Sequence, residues 1–143
     1  MEVVIVMILV SILSVYAIIK LQDLIMSARA AMVKSSLGVM RQGVWDFYAA
    51  QAANGSARFP TLEEFSEEGG GSHITMDGLL PVNPFDYDGN AQNVVLATTE
   101  PQGTVIGSSG GWAYRPQASG PGKADAGQVW ANTSTGEIEE NRF

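Results

Sequence analysis

From Val3 to Ile19 every position is apolar except Ser11, Ser14 and Tyr16. A single acid, Glu2, precedes this run, and Lys20 is the first charge after it. A helix needs about 17–25 such residues to cross a bilayer, so the run predicts a membrane-spanning helix with one carboxylate at its tip. Beyond Lys20 the pattern changes without breaking. Apolar side chains recur at Leu21, Leu24, Ile25, Ala28, Met32, Val33, Leu37, Met40, Val44, Phe47 and Tyr48, in the steps of three and four that mark one helical face. Gln22, Asp23, Arg29, Lys34, Arg41 and Asp46 carry the polar positions. No proline occurs before Pro60, and Asn54-Gly55 is a helix-stop signal. The spacing therefore predicts one helix from residue 2 to about 53, ~75 Å long. Gly38 and Gly43 are its expected soft points, each about 1 kcal/mol worse than alanine. The stripe on the second half needs a partner, and the domain after residue 60 is the one this chain offers. An isolated coiled coil fits less well, because the spacing holds no clean heptad flanked by ion pairs.

Past the helix the period shortens. Thr61 and Glu64 have capping-box spacing, which predicts a short helical turn starting at Thr61. Glu67 to Ser72 reads as an acidic Gly-rich loop, and Leu79 to Phe85, with two prolines, as an extended connector. Short β-branched or aromatic runs at Val94–Thr98, Thr104–Ile106, Trp112–Arg115 and Gln128–Ala131 are separated by Gly and Pro clusters. They predict an antiparallel sheet of three or four strands with one face free to take the helix stripe, an α+β fold. Leu37, Met40, Val44 and Phe47 on the helix, with Trp112, Tyr114 and Trp130 on the strands, are the expected helix–sheet contacts. The chain thus divides into residues 1–20, an apolar half-helix; 21–54, the amphipathic half of the same helix; and 55–143, a globular domain.

Composition narrows the function classes. The 143 residues carry a net charge of −7, most of it after residue 60, which argues against a nucleic-acid interface that needs a basic stripe. With no cysteine, neither a disulfide framework nor a thiolate metal site exists. His73 is the one histidine, Ser108 and Ser109 lie in no nucleophile-elbow pattern, and there is no phosphate-binding loop. No enzymatic activity is expected. The apolar run has no basic segment before it and no small-residue cleavage site after it, so it is expected to be retained rather than removed as a signal peptide. Asp86-Tyr87-Asp88-Gly89-Asn90 places oxygen ligands at alternate positions, and Asp86, Asp88 and Asn90 are candidate calcium ligands with Asp125 as a distant contributor. The same residues make ordinary turns, and the expectation is otherwise of no cofactor. Asn54-Gly55-Ser56 and Asn132-Thr133-Ser134 are formal glycosylation acceptors.

The opening Glu2-Val3-Val4-Ile5-Val6-Met7-Ile8-Leu9-Val10-Ser11-Ile12-Leu13-Ser14 resembles the amino-terminal segment of type IV pilins and of the pseudopilins of type II secretion. In those families a prepilin peptidase cuts after a glycine, the new terminal phenylalanine undergoes methylation, and an acid at the fifth mature position lies in a long apolar helix. Glu2 matches that acid. The resemblance implies that the leader and the first mature residues precede Met1; the glycine and phenylalanine match no residue here. It extends loosely to Phe59-Pro60, to Pro81-Val82-Asn83-Pro84-Phe85, and to Gly111-Trp112-Ala113-Tyr114 with Gly127 to Asn132. Two departures stand out: Ile19 occupies a place where many pilins have proline, and the lack of cysteine points to the cysteine-free pilins and major pseudopilins.

What the resemblance implies is a type IV pilin-like fold, with a connecting loop region between the long helix and its sheet. It also implies a structural subunit that polymerises into a helical filament (a pilus, or fimbrium) for cell adhesion, motility or uptake. Glu2 and Val3 to Leu9 would be the assembly residues, with Glu2 paired to the terminal amine of an adjacent subunit. The unassembled subunit would sit in the bacterial inner membrane and be handled by pilus or secretion assembly machinery; the filament would be extracellular or periplasmic. Some major pseudopilins bind calcium in their carboxy-terminal region, which bears on Asp86, Asp88 and Asn90. Two alternatives remain open: a major pseudopilin of a secretion system, and a membrane-tethered binding module that never polymerises.

Overall fold

The computed structural model describes residues 2–66, 80–86, 91–107, 110–118 and 120–133. Helix α1 runs unbroken over Glu2–Ala53. It ends where the sequence signals a stop: Gly55 takes φ +80°, the Ser56 amide donates to the Gln51 carbonyl at 3.0 Å, and the Gly55 amide donates to Ala52 at 3.0 Å. This pair of bonds caps carbonyls that the last turn would otherwise leave open. At Gly38 an added Cβ would meet open space, so that glycine answers to no packing demand within the chain. A one-turn helix α2 (Leu62–Phe65) follows, with both bonds of the Thr61/Glu64 capping box made.

Among the described residues the sheet has three strands, β1 (Val94–Leu96), β2 (Trp112–Arg115) and β3 (Gln128–Ala131), in that spatial order. Strand β2 runs antiparallel to β3 but parallel to β1. The expectation of an all-antiparallel sheet is thereby corrected to a mixed one. Parallel neighbours need a crossover of a dozen or more residues, and the chain between Leu96 and Trp112 supplies it. Thr104–Ile106, expected as a strand, lies in that crossover instead. Its backbone bonds form no ladder: the Thr104 amide donates to the Pro101 carbonyl at 3.1 Å, Ile106 donates to Asn132 Oδ1 at 2.6 Å and accepts from Asn132 Nδ2 at 2.9 Å, and the Thr104 carbonyl accepts from Trp130 Nε1 at 2.9 Å. Strand β1 also stops short of Thr98, whose amide donates to the Glu100 carboxylate at 2.8 Å.

The pleat sorts the strand side chains between two faces. Trp112, Tyr114, Val129 and Ala131 are buried in one cluster with Val33, Leu37, Met40 and Val44 of α1, and Phe47 packs against it half-buried. Phe65 of α2 stacks on Tyr114 at 4.3 Å, and Leu80 and Phe85 complete this core. Trp130 is not a helix–sheet contact, contrary to expectation. It pairs in register with Ala113, and both point to the opposite face, where they form a second cluster with Ala97 and Ile106. Consecutive strand residues alternate faces, so with Val129 and Ala131 under the helix Trp130 must point away.

Helix α1 packs across β3. Its guanidinium at Arg41 donates from Nη2 to the Val129 carbonyl at 3.0 Å, closing the outer edge of that strand. Burial also lowers the Arg41 pKa from its ordinary value. Contact with the domain begins near Met26 and Ala30. Leu21, Leu24, Ile25, Ala28 and Met32, expected on the same packed stripe, remain exposed.

Candidate functional site

Every large apolar side chain of α1 from Val3 to Leu21 is between 53% and 68% exposed. By length and composition this helix is apolar enough to cross a membrane, and its most apolar window has no residue buried within the chain. Fully burying one Val, Leu, Ile or Met contributes roughly 1.5–3 kcal/mol. Leaving all of these half in water would therefore cost on the order of tens of kcal/mol, more than the 5–15 kcal/mol that holds a typical domain together. By length and composition the segment is compatible with membrane anchoring.

Its few polar groups fit that role. Ser11 Oγ donates to the Met7 carbonyl and Ser14 Oγ to the Val10 carbonyl, each at 2.8 Å, so neither hydroxyl is left without a partner in an apolar medium. Glu2 lies exposed in the first turn, followed directly by the exposed Val3, Val4, Ile5, Val6, Met7, Ile8 and Leu9. At the far end Lys20 lies 5.9 Å from the Tyr16 ring centroid and 3.7 Å from the Asp23 carboxylate. Such a cation, resting on an aromatic ring and paired with an acid, suits a membrane–water boundary.

Where the helix meets the domain, a charged clasp orients the chain. Arg58 grips Glu64 through two bonds of 2.7 and 2.8 Å, and the same carboxylate accepts the Thr61 amide at 2.8 Å. These bonds hold the Glu64 pKa down to about 2, the Arg58 bond being the largest cause and the Thr61 amide the next. The clasp sets α2, which seats Phe65 on Tyr114. The Tyr114 hydroxyl donates to the Pro60 carbonyl at 2.8 Å, and burial, seconded by Glu64, pushes its pKa well above the ordinary value. A carboxylate with a depressed folded pKa stabilises the fold above its unfolded value near 4.5 and loses that contribution as pH falls toward 2. Thermal unfolding of the full chain in detergent should therefore show a stability drop across that window that Glu64→Gln makes shallower. An identical pH slope in the two proteins would remove the clasp from the account.

The structure also uses polar groups that sequence reasoning missed. Asn83, Arg115 and Asn132 are buried. Asn83 Nδ2 donates to the Gly111 carbonyl at 2.8 Å and to Thr133 Oγ1 at 3.0 Å, while its Oδ1 accepts the Phe85 amide at 3.1 Å. That last bond is an Asx turn, and the Asn83-Pro84 pair was its visible signal. Asn132 Nδ2 donates to Ile106 and Gly110 carbonyls, so the amide is wholly engaged inside the domain and is no glycosylation acceptor in the folded chain. Asn54, the other acceptor, is exposed at the end of α1. Arg115 Nη1 pairs with Asp125 at 2.8 Å, its Nη2 donates to the Glu100 carbonyl, and its guanidinium lies 5.5 Å from the Trp130 ring centroid.

Of the candidate calcium ligands, Asp86 accepts the Gly111 amide at 2.8 Å, a loop-tying bond. Asp88 and Asn90 lie outside the described residues, as do His73, Ser108 and Ser109. Asp125, the fourth oxygen donor considered, is drawn to Arg115. Among the described residues no group of three His, Cys, Asp or Glu side chains is placed to hold a metal. An aromatic cluster lies instead near the end of α1: the exposed Trp45 makes edge-on contacts with the half-buried Tyr48 and Phe59 at 5.7 and 5.5 Å, and Tyr48 stacks on Phe59 at 4.7 Å.

No protein-family model, curated protein or solved structure matches this chain. The chemistry therefore rests on its own residues: a long helix, apolar and uncovered over its first half, that carries a small domain on its second half.

Proposed function

We propose that this chain is a membrane-anchored structural subunit that polymerises through the apolar half of α1 into a type IV pilin-like filament. The observation that carries the reading is the division of one continuous helix into two surfaces. Val33, Leu37, Met40 and Val44 are buried against the chain's own domain, whereas Val3 to Leu21 project uncovered beyond it. An anchor alone would need no rigid continuation into the domain. A continuous helix fixes the distance and angle between membrane segment and domain, which a repeating assembly requires and a flexible tether does not supply.

Before assembly, Val3 to Ile19 span about 25 Å, close to the ~30 Å hydrocarbon thickness of a bilayer. On assembly the same side chains exchange lipid for neighbouring helices. Glu2 then sets the register. A carboxylate surrounded by apolar side chains is stabilised only where a counter-charge meets it, so one axial offset between subunits is favoured over all others. The amino terminus of a neighbouring subunit is the counter-charge that the resemblance to pilins suggests. No catalysis is assigned.

Replacing Glu2 with alanine should leave insertion into the inner membrane intact and abolish polymer in the material sheared from cells. Polymerisation by Glu2→Ala at the parent level, or absence of any polymer from the parent chain, overturns the reading in favour of a tethered module. Polymer confined to the periplasm would assign the chain to the pseudopilin branch of the same proposal.

A further inference from the structure

Helix α1 carries two seams, and its own sheet covers one of them. The positions packed on the sheet are Met26, Ala30, Val33, Leu37, Met40 and Val44, a strict alternation of four and three residues. Leu21, Ile25, Ala28, Met32, Ser35 and Val39 repeat the same alternation on a face displaced by about 140° around the helix. All six are exposed, Met32 at 57% and Val39 at 53%. None is charged. Continued toward the amino terminus, the spacing passes through Ile18, Ser14, Ser11, Met7 and Val4, so this seam runs without interruption into the apolar half.

We infer that the Leu21–Val39 seam seats the same seam of a second copy of this chain, so that helix–helix contact continues past the membrane boundary and alongside the domain. The inference rests on the filament reading and assigns it a specific interface. A repeat averaging 3.5 residues is the spacing with which one helix packs along another at a shallow angle, and it suits neither a strand nor an irregular partner. The seam also complements itself. Large Ile25, Met32 and Val39 alternate with small Ala28 and Ser35, so that two parallel copies staggered by about one turn place a large side chain of each in the hollow over a small one of the other. Copies anchored in one membrane are parallel by construction. Continuity with the apolar half means that the same neighbour reaches both segments.

Because the chain has no cysteine, single thiols report the contact directly. Ala28→Cys and Ser35→Cys lie on the seam; Ser27→Cys and Gly38→Cys lie about 100–120° around the helix from it, at exposed positions. Treatment of full-length protein in assembled polymer with a bis-maleimide that spans roughly 10 Å, the reach a one-turn stagger requires, should give cross-linked dimers with the first pair and none above background with the second. Met32→Glu, at an exposed position, should leave the unfolding temperature of the domain unchanged and abolish polymer. Parent-level polymer from Met32→Glu, or filaments in which the seam thiols do not cross-link, overturns the seam while the filament reading stands. Cross-linking at Ser27→Cys and Gly38→Cys in place of the seam thiols also overturns it. A parent chain that forms no polymer brings down both.

Discussion

Trp112→Ala is expected to destabilise the domain by about 3–5 kcal/mol, the range for deleting a large aromatic from a packed core. The ring is fully buried in the core cluster that includes Leu37 and Met40 of α1, and its Nε1 donates to the Pro81 carbonyl at 2.8 Å. Truncation leaves a cavity that Leu37 and Met40, fixed on a rigid helix, cannot fill without moving the whole element. It also strands the Pro81 carbonyl, whose lost partner costs about 1–3 kcal/mol if water cannot reach it. A small domain has roughly 5–15 kcal/mol in all, so this one change approaches the limit of foldedness. Denaturant unfolding of the full chain in detergent measures the loss, with Trp45→Ala as the comparison. Trp45 is 56% exposed and should cost under about 1 kcal/mol. Equal losses at the two tryptophans would mean that the helix–sheet core is not organised around Trp112.

Gly110→Ala is expected to cost about 2–5 kcal/mol, because two separate penalties meet at one methyl. Gly110 has φ +63°, a backbone region that disfavours any Cβ. The added Cβ would also occupy the space of the Asp86 carboxylate. That carboxylate accepts the Gly111 amide, so the methyl must displace the acid that ties the connector to the start of β2. Gly55→Ala separates the two causes: φ is +80° there too, but nothing lies within 4 Å of the new Cβ. The Gly55 variant should lose only the conformational part, roughly 1–2 kcal/mol. Unfolding free energies that match within error would show that Asp86 yields without resistance.

The parts of the fold that were legible before the structure are those governed by neighbours in the chain. The run of apolar residues, the absence of proline before Pro60 and the Asn54-Gly55 stop all act within a turn or two, and α1 follows them closely. The Thr61/Glu64 capping box is a local exchange of two hydrogen bonds and forms as its spacing predicts. The cores of β1, β2 and β3 lie where β-branched and aromatic residues cluster. The candidate site was legible for the same reason, since an apolar helix with one acid at its tip is a property of consecutive residues.

What the pattern did not reveal depends on which segments become neighbours. Whether β1 runs with or against β2 turns on the path of residues 97–111, and that path is held by bonds from Trp130 and Asn132 far along the chain. Trp130 looked like Trp112 in composition and spacing; only the register with Ala113 places it on the other face. The burial of Arg115, against the usual exposure of arginine, reflects the Asp125 carboxylate and the Trp130 ring that the folded loops bring to it.

The sequence by itself determined a single helix with an apolar half, because helical periodicity, capping and hydropathy are local and additive. The tertiary structure alone decided which apolar side chains of that helix are spent within the chain. One stripe read from spacing became two seams, since among the described residues the domain's contact with the helix begins at Met26 and lies along one side of it. A face is buried only where a partner surface exists, and the extent of that surface is a property of the assembled sheet rather than of any run of residues.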